Sequence, residues 1–357
     1  MFPHRISTGG SPRKRNSVEP ATTREPFDSK LNYIIRRLLI GLVTLLGITF
    51  VTFLTIGLAP GDIVEQMLQG NPEATLEDLE RIRRSLGLDD NIAVRYWKWL
   101  CNIVTLDFGE SFLTHEPVTT YIGRHIWPTA SVGIISLLLA FLLSIPIGIY
   151  SAVREGGVFD RCMSTLLYML YSVPSYVIGM ILILYIGLKL DWLPIMGMHS
   201  DNIDGVPYAE LPLLERFADS AKHYVLITLC FTVGSLAYYS RFVRQNLLEV
   251  VRQDYIRTAR AKGISERRVI IRHAFRNTLI PFVSLLGLTL PFILGGSVIL
   301  EKMFNWPGIG WLYFESVMNR DLPTIMGLNF MTAALVLSFT LLADLAYGLV
   351  DPRISHD

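Results

Sequence analysis

Six long apolar segments constrain this chain more than any other feature of its sequence. They lie at residues 38–59, 129–153, 162–190, 223–240, 279–300 and 328–350. Each is close to the ~20 residues with which an α-helix crosses about 30 Å of hydrocarbon. A membrane strand would alternate apolar and polar residues, whereas segment 134–149 is apolar on every face. The sequence therefore predicts an all-α polytopic membrane protein with six transmembrane helices.

The apolar segments divide the chain into regions. Residues 1–37 are polar and basic with few large apolar side chains, which predicts a disordered tail. Segment 38–59 is too long and too far from residue 1 for a cleaved signal peptide, so it is expected to remain as the first transmembrane helix. The remaining regions are expected to be an extracytoplasmic loop at 60–128, a five-helix core at 129–350 and a short C-terminus at 351–357.

A helix is also predicted inside the loop 60–128, over about residues 75–101. Its apolar residues recur at helical spacing: Leu76, Leu79, Ile82 and Leu86. The whole loop carries 11 acidic against 6 basic residues. Two interpretations of this acidic surface stay open, namely a docking site for an external protein and an ordinary solvated face.

The distribution of positive charge predicts the orientation of the chain. With the N-terminus inside the cell, the inside segments hold 21 Lys and Arg and the outside segments hold 10. The positive-inside rule therefore places both termini in the cytoplasm. The inside segment 241–278 is the most basic, with 10 basic and 3 acidic residues. Its charge fits topology alone, and it also fits a partner on the cytoplasmic side.

Segment 241–278 has strong local signals of its own. Gly263 can end one helix in a left-handed conformation, and Ser265 followed by Glu266 can begin the next. We therefore predict two short helices with a turn at Gly263. In the second helix, apolar side chains at helical spacing alternate with basic ones, which predicts an amphipathic element on the cytoplasmic face. These residues are Val269, Ile270, Ala274 and Phe275 with Arg267, Arg268, Arg272 and Arg276.

Three kinds of partner could bind such an element: nucleic acid, a lipid surface or a cytoplasmic protein. Segment 241–278 offers no aromatic platform and no set of base-reading side chains, so nucleic acid is excluded. The basic charge alone does not separate lipid from protein, because basic residues are expected on the inner side of any membrane protein.

Short motifs along the chain carry a family resemblance. TARAKG at 258–263 is followed by RNTLIP at 276–281. Other motifs are APGD at 59–62, LGLD at 86–89, DFGES at 107–111, PV at 117–118, WPTAS at 127–131, WLP at 192–194, EKMFNWPGIG at 301–310 and DPRI at 351–354. In order and spacing, over about residues 33–354, they resemble the permease subunits of the dipeptide and oligopeptide branch of ABC importers. The glutamate that names this family's EAA loop is absent here, where Arg257 and Thr258 stand nearby.

The resemblance implies a type I ABC importer permease fold in the bacterial inner membrane. It implies that a coupling helix contacts the ATP-hydrolysing subunit through Ala259, Ala261, Lys262, Gly263, Ile264, Ser265 and Glu266. It also implies four kinds of partner: a second permease, two ATP-binding subunits, an extracytoplasmic solute-binding protein and membrane lipid. ATP and Mg²⁺ would be bound by the ATP-binding subunits, with no cofactor in this chain. The implied function is ATP-driven alternating access for di- or oligopeptides, with nickel chelates or another small solute as alternatives.

Other classes of function lack their signatures. The seven histidines are scattered, the three cysteines show no CxxC spacing, and HExxH, GxSxG and GxxxxGK[ST] are absent, so neither an enzyme nor an ATP-binding chain is predicted. A secondary transporter is the remaining alternative, and it would usually carry ionisable residues deep in its spans. Asp344 is the one acid well inside a predicted span, and we expect it to be structural because it lies only seven residues before Asp351. Four prolines in or beside the spans are candidate kinks: Pro146, Pro174, Pro281 and Pro291.

Overall fold

The computed structural model describes residues 27–57, 80, 90–279, 289 and 295–350. Several predictions concern segments outside these residues. These are the tail as far as residue 26, the Leu76–Leu86 repeat, most of segment 279–300 and the C-terminus 351–357. The side chain of Asp344 is also outside the described set.

Four described helices contain apolar stretches long enough to cross a membrane. They are α1 (Phe27–Gly57), α3 (Val118–Val153), α6 (Leu213–Val251) and α11 (Leu322–Val350). Each contains or covers most of one predicted segment, and α1, α3 and α6 extend well beyond the apolar stretch. Because α1 begins at Phe27, residues 27–37 are helical, and the prediction of a disordered tail is wrong for them. Helix α3 continues through Pro128 and Pro146, so neither proline ends it.

Segment 162–190, expected as one span, is instead a bent pair of helices. Helix α4 (Val158–Ser172) and helix α5 (Ser175–Leu182), which continues as a π-helical segment (Ile183–Lys189), meet at 96°. Val173 between them is extended, a conformation that a following proline favours, and Pro174 then precedes the first residue of α5. The prediction of one continuous span is therefore wrong at Val173, whereas the prediction of a kink at Pro174 is confirmed.

The remaining described elements are short. Helix α2 (Ile92–Val104) begins at Asn91, whose side chain accepts a hydrogen bond from the Ala93 N–H, and it covers the described part of the helix predicted over 75–101. Strands β1 (Asn202–Ile203) and β2 (Val206–Pro207) form a small antiparallel hairpin, and a 3₁₀ turn follows at Tyr208–Glu210. Later come α7 (Asp254–Ala261), α8 (Glu266–Arg268) with a π-helical continuation (Val269–Phe275), α9 (Val298–Met303) and α10 (Ile309–Met318).

Helices α3 and α6 pack closely and form the centre of the described bundle. A side chain at Gly148 of α3 would place its Cβ 2.7 Å from Val243 and 2.8 Å from the Ser240 carbonyl oxygen of α6. Only glycine permits this approach. Around it, Ala140 and Phe141 pack against Tyr239 and Val243, with the Phe141 and Tyr239 rings stacked 4.5 Å apart.

A buried carboxylate joins the EKMFNWPGIG motif to helix α3. Glu301 is 1% exposed and accepts hydrogen bonds from the Thr129 hydroxyl at 3.0 Å and from the N–H groups of Gly310 at 2.7 Å and Trp311 at 3.1 Å. The two N–H groups lie in the first turn of α10, where backbone donors lack helical partners. Glu301 therefore caps α10 and holds the motif against the WPTAS segment of α3.

A second buried carboxylate joins the DFGES motif to helix α11. Asp321, which immediately precedes α11, accepts hydrogen bonds from the Ser111 hydroxyl, the Phe112 N–H at 3.0 Å and the Thr324 hydroxyl at 2.7 Å. Asp321 is fully buried, so these donors rather than water satisfy its carboxyl oxygens. Two of the motifs that carried the family resemblance thus have a structural role, because their hydrogen bonds join distant segments of the chain.

Candidate functional site

The turn after helix α7 has the conformation predicted for it. Gly263 has φ +74°, and its N–H donates to the Arg260 carbonyl oxygen at 2.9 Å. The conformation is left-handed, which glycine adopts at little cost and other residues adopt only with strain. The prediction of a glycine turn between two helices is confirmed, and the second helix runs through α8 and its π-helical continuation.

The apolar face of this helix pair is buried against the ends of α3 and α6. Its core comprises Ile256 and Ala259 of α7, Val269, Ile270 and Ala274 after the turn, Leu247 of α6 and Ala152 of α3. The amphipathic pattern predicted for the second helix is therefore confirmed. Because the core includes side chains from both long helices, the turn at Gly263 is fixed to the membrane-spanning bundle.

An ion pair braces the turn on its outer side. The Arg260 guanidinium donates two hydrogen bonds to the Glu266 carboxylate, at 3.1 and 2.6 Å, across the five intervening residues, which include Gly263. The hydrogen bonds from Arg260 hold the pKa of the Glu266 carboxyl below its usual value. Ser265 occupies the N-cap position as predicted, but its hydroxyl makes no capping hydrogen bond. The brace by Arg260 supplements the local signals that the sequence analysis used.

The structure divides the seven predicted coupling residues into two groups. Ala259 is buried in the apolar core and Ile264 is half-buried beside it. The other five residues are exposed, and they are Ala261, Lys262, Gly263, Ser265 and Glu266. The sequence analysis omitted Arg260, although an opposite charge six residues before Glu266 and across a glycine turn is a usable signal.

Four arginines lie exposed on the second helix. They are Arg267, Arg268, Arg272 and Arg276. Within the described part of the chain, none of the four has an acidic oxygen within 4 Å. Two of the four follow the Gly263 turn directly, so the exposed tip of this element is strongly basic. Such a surface suits an acidic or hydrogen-bonding groove on another molecule.

Among the residues that the structure describes, no three His, Cys, Asp or Glu side chains lie together as metal ligands would. Cys101 and Cys162 are exposed, and Cys230 is buried in the core between α5 and α6.

Two family descriptions match the chain and together span most of it. Residues 144–356 match the binding-protein-dependent transport system inner membrane component, and residues 30–133 match the N-terminal part of the corresponding membrane component. The helix pair with the Gly263 turn lies inside the first of these ranges.

Curated relatives match over nearly their whole length. The oligopeptide transport system permease protein AppB of Bacillus subtilis (strain 168) is 37% identical over 325 residues, which are 91% of this chain and 99% of that protein. A putative peptide permease of Brucella suis biovar 1 and the glutathione transport system permease protein GsiC of Salmonella paratyphi A are each 35% identical over the same fractions.

A solved structure has the same fold. A chain of the MetNI methionine ABC transporter, in a crystal form that shows an inward-facing conformation, superimposes with a TM-score of 0.51 and 18% sequence identity. The superposition covers 66% of this chain and 99% of that one.

Proposed function

This chain belongs to the family of binding-protein-dependent transport system inner membrane components, and from that premise we propose that it forms half of a peptide translocation pathway. It is a multi-pass protein of the bacterial inner membrane and a permease subunit of an ABC importer. A permease of this kind moves a solute and leaves the solute's covalent bonds unchanged.

The proposed assembly contains a second homologous permease, two ATP-binding subunits and an extracytoplasmic solute-binding protein. ATP and Mg²⁺ bind to the ATP-binding subunits, and this chain contributes no cofactor. Closure of the ATP-binding subunits moves the helix pair around Gly263, and the long helices then reorient around a central pathway. The proposed topology has six spans and both termini in the cytoplasm, in keeping with the distribution of Lys and Arg.

One observation carries the coupling role. The tip around Gly263 is exposed and braced by Arg260 and Glu266, while its inner face shares a core with Leu247 of α6 and Ala152 of α3. Protein interiors are close-packed and transmit displacement. A movement imposed on the tip therefore passes to two long helices at once, as a coupling element requires.

Peptides are the proposed substrate class. The named transport systems of the relatives are those of oligopeptides and of glutathione, which is itself a tripeptide. Peptides are therefore favoured over the nickel chelates that the sequence alone left open.

The experiment replaces Gly263 in the reconstituted transporter. Gly263→Asp adds a charged side chain to the exposed tip and strains a backbone with φ +74°, while no atom lies within 4 Å of the new Cβ inside this chain. Membrane insertion and pairing with the second permease should remain. Transport and binding-protein-stimulated ATP hydrolysis should fall to background, while the ATP-binding subunits alone hydrolyse ATP as before.

A second glycine provides the matched control. Gly156 lies between α3 and α4 on the same side, has φ +72° and is equally open around its Cβ. Gly156→Asn adds a side chain of the same size and avoids a second carboxylate beside Asp160, which accepts the Gly156 N–H. This variant should transport normally. Normal transport by Gly263→Asp would refute the coupling role, and loss of that variant from the membrane would show that Gly263 serves folding.

A further inference from the structure

A cavity of about 70 Å³ opens between α3, α4 and α6, and none of its lining residues belongs to the helix pair around Gly263. Its polar lining comes mainly from α6, with Ser240, Arg241 and Arg244, and its aromatic lining is Tyr168 and Tyr171 of α4. None of the lining residues is acidic. Neither the family descriptions nor the relatives' names assign a ligand to this cavity.

The two arginines in the cavity differ in their partners. Arg244 donates two hydrogen bonds, at 2.7 and 2.8 Å, to Asp160, which is buried and also accepts the Gly156 N–H. Its charge is therefore neutralised. Arg241 lies over the rings of Tyr168 at 5.6 Å and Tyr171 at 5.8 Å, and no acidic oxygen of the described residues lies within 4 Å of it. The cavity thus carries one uncompensated positive charge.

A buried hydroxyl lines the same cavity without a hydrogen-bond partner. Ser240 is 2% exposed, and its Oγ bonds to no atom of the described residues. An unpaired buried polar atom is costly, so native structures usually satisfy such atoms with a protein group, a water molecule or a bound ion. Ser240 and Arg241 line the same cavity, so the hydroxyl and the guanidinium together offer donors suited to one oxyanion.

The position of the cavity along the helices matches the depth of a lipid headgroup. Arg241 directly follows the apolar segment 223–240, and Ser151, also in the lining, lies two residues before the end of segment 129–153. Both positions therefore fall where hydrocarbon gives way to the polar interface. Tyrosines are enriched at this depth, and basic pockets between membrane helices on the cytoplasmic side bind anionic headgroups.

We propose that this cavity is an oxyanion site which binds the phosphate of an anionic membrane lipid through Arg241 and Ser240. The tyrosines hold the Arg241 guanidinium at the cavity, and the acyl chains of the lipid lie along the apolar surface of α4. The leaflet follows from the proposed topology, which makes it the cytoplasmic one. Binding itself does not depend on the transport role.

The test measures lipid binding to the purified full chain in neutral detergent by native mass spectrometry. The probes are dioleoylphosphatidylglycerol, dioleoylphosphatidylcholine and the soluble anion glycerol 3-phosphate. The wild-type chain should bind phosphatidylglycerol more tightly than phosphatidylcholine. Arg241→Gln should weaken phosphatidylglycerol binding about fivefold or more, since a basic residue near the membrane surface contributes roughly that factor. Arg241→Lys should retain most of the binding.

Arg154 supplies a matched control. Its guanidinium lies 5.1 Å from the Tyr150 ring near the end of α3, outside the cavity lining, so Arg154→Gln removes the same charge and the same kind of ring contact. This variant should bind phosphatidylglycerol as the wild type does. Equal effects of Arg241→Gln and Arg154→Gln, or no preference for phosphatidylglycerol, would overturn the proposal. If glycerol 3-phosphate bound as tightly as the lipid and required Arg241, the cavity would still be an oxyanion site, but the proposal that its ligand is a lipid would be refuted.

Discussion

The buried Glu301 carboxylate allows a prediction that separates its hydrogen bonding from its charge. One carboxylate oxygen accepts both N–H groups at the start of α10, those of Gly310 and Trp311, and the other accepts the Thr129 hydroxyl. Glu301→Gln keeps the shape and leaves a carbonyl oxygen for both N–H groups. Glu301→Leu keeps similar volume and removes every acceptor.

The two substitutions should differ by several kcal/mol. In the leucine variant two buried N–H donors lose their acceptor, at about 1–3 kcal/mol each, so the free energy of unfolding should fall by about 2–6 kcal/mol. In the glutamine variant the hydrogen bonds persist without the charge, so the loss should be about 1 kcal/mol. Denaturation by titrated sodium dodecyl sulfate, followed by circular dichroism, measures both values.

The pH dependence of this stability has a defined sign. Burial raises the pKa of the Glu301 carboxyl above its usual value, because removal from water penalises the charged form. The folded state then holds this proton more tightly than the unfolded state does. The wild type should therefore lose stability relative to Glu301→Gln as the pH rises from the ordinary carboxyl pKa through the raised one. Equal destabilisation by Gln and Leu at neutral pH would refute the capping role of Glu301.

Two further predictions concern topology and packing. Reporter fusions after Asn102 and Asp204 should report the outside of the membrane and a fusion after Glu266 the inside, and an outside signal at Glu266 would contradict the proposed topology. Gly148→Ala places a Cβ 2.7 Å from Val243, so it should lower the free energy of unfolding by about 1–3 kcal/mol. Thermal melting in detergent measures this loss. An unchanged melting temperature would show that α3 and α6 separate freely.

Local signals were sufficient for the turn at the candidate site. A glycine in the left-handed conformation, a serine at the next N-cap and apolar residues at helical spacing all act within a few residues, and the structure has each of them at the predicted position. The exposed basic residues of the second helix could likewise be identified from the sequence of this segment alone. Sequence reasoning therefore located the exposed tip, although it did not separate Ala259, which is buried, from the exposed residues around it.

Prolines were a weaker guide, because their effect depends on tertiary packing. Pro146 and Pro174 both lie in apolar segments, yet α3 continues through Pro146 while the chain bends by 96° at Pro174. Helix α3 approaches α6 closely at Gly148, two residues after Pro146. No property of the two prolines themselves distinguishes them.

The buried carboxylates could not be predicted because their partners are distant in sequence. Glu301 contacts Thr129 across 172 positions, and Asp321 contacts Ser111 across 210. In the sequence both acids stand outside the apolar segments and look like solvated loop residues. In the sequence, EKMFNWPGIG and DFGES are recognisable only as marks of family resemblance. In the structure, they take part in the hydrogen bonds of buried carboxylates that join distant segments of the chain.

The most direct test of the coupling role is a photo-crosslink from the tip of the Gly263 turn. A photoreactive amino acid at position 262, in place of the exposed Lys262, would lie next to the turn, and one in place of Asp204 would lie on the β1–β2 hairpin, on the opposite side of the membrane in the proposed topology. Irradiation of the intact transporter should join position 262 to an ATP-binding subunit and position 204 to none. A crosslink between position 204 and an ATP-binding subunit would contradict the account. So would the lack of a crosslink from position 262 in a transporter whose ATP hydrolysis is still stimulated by the binding protein.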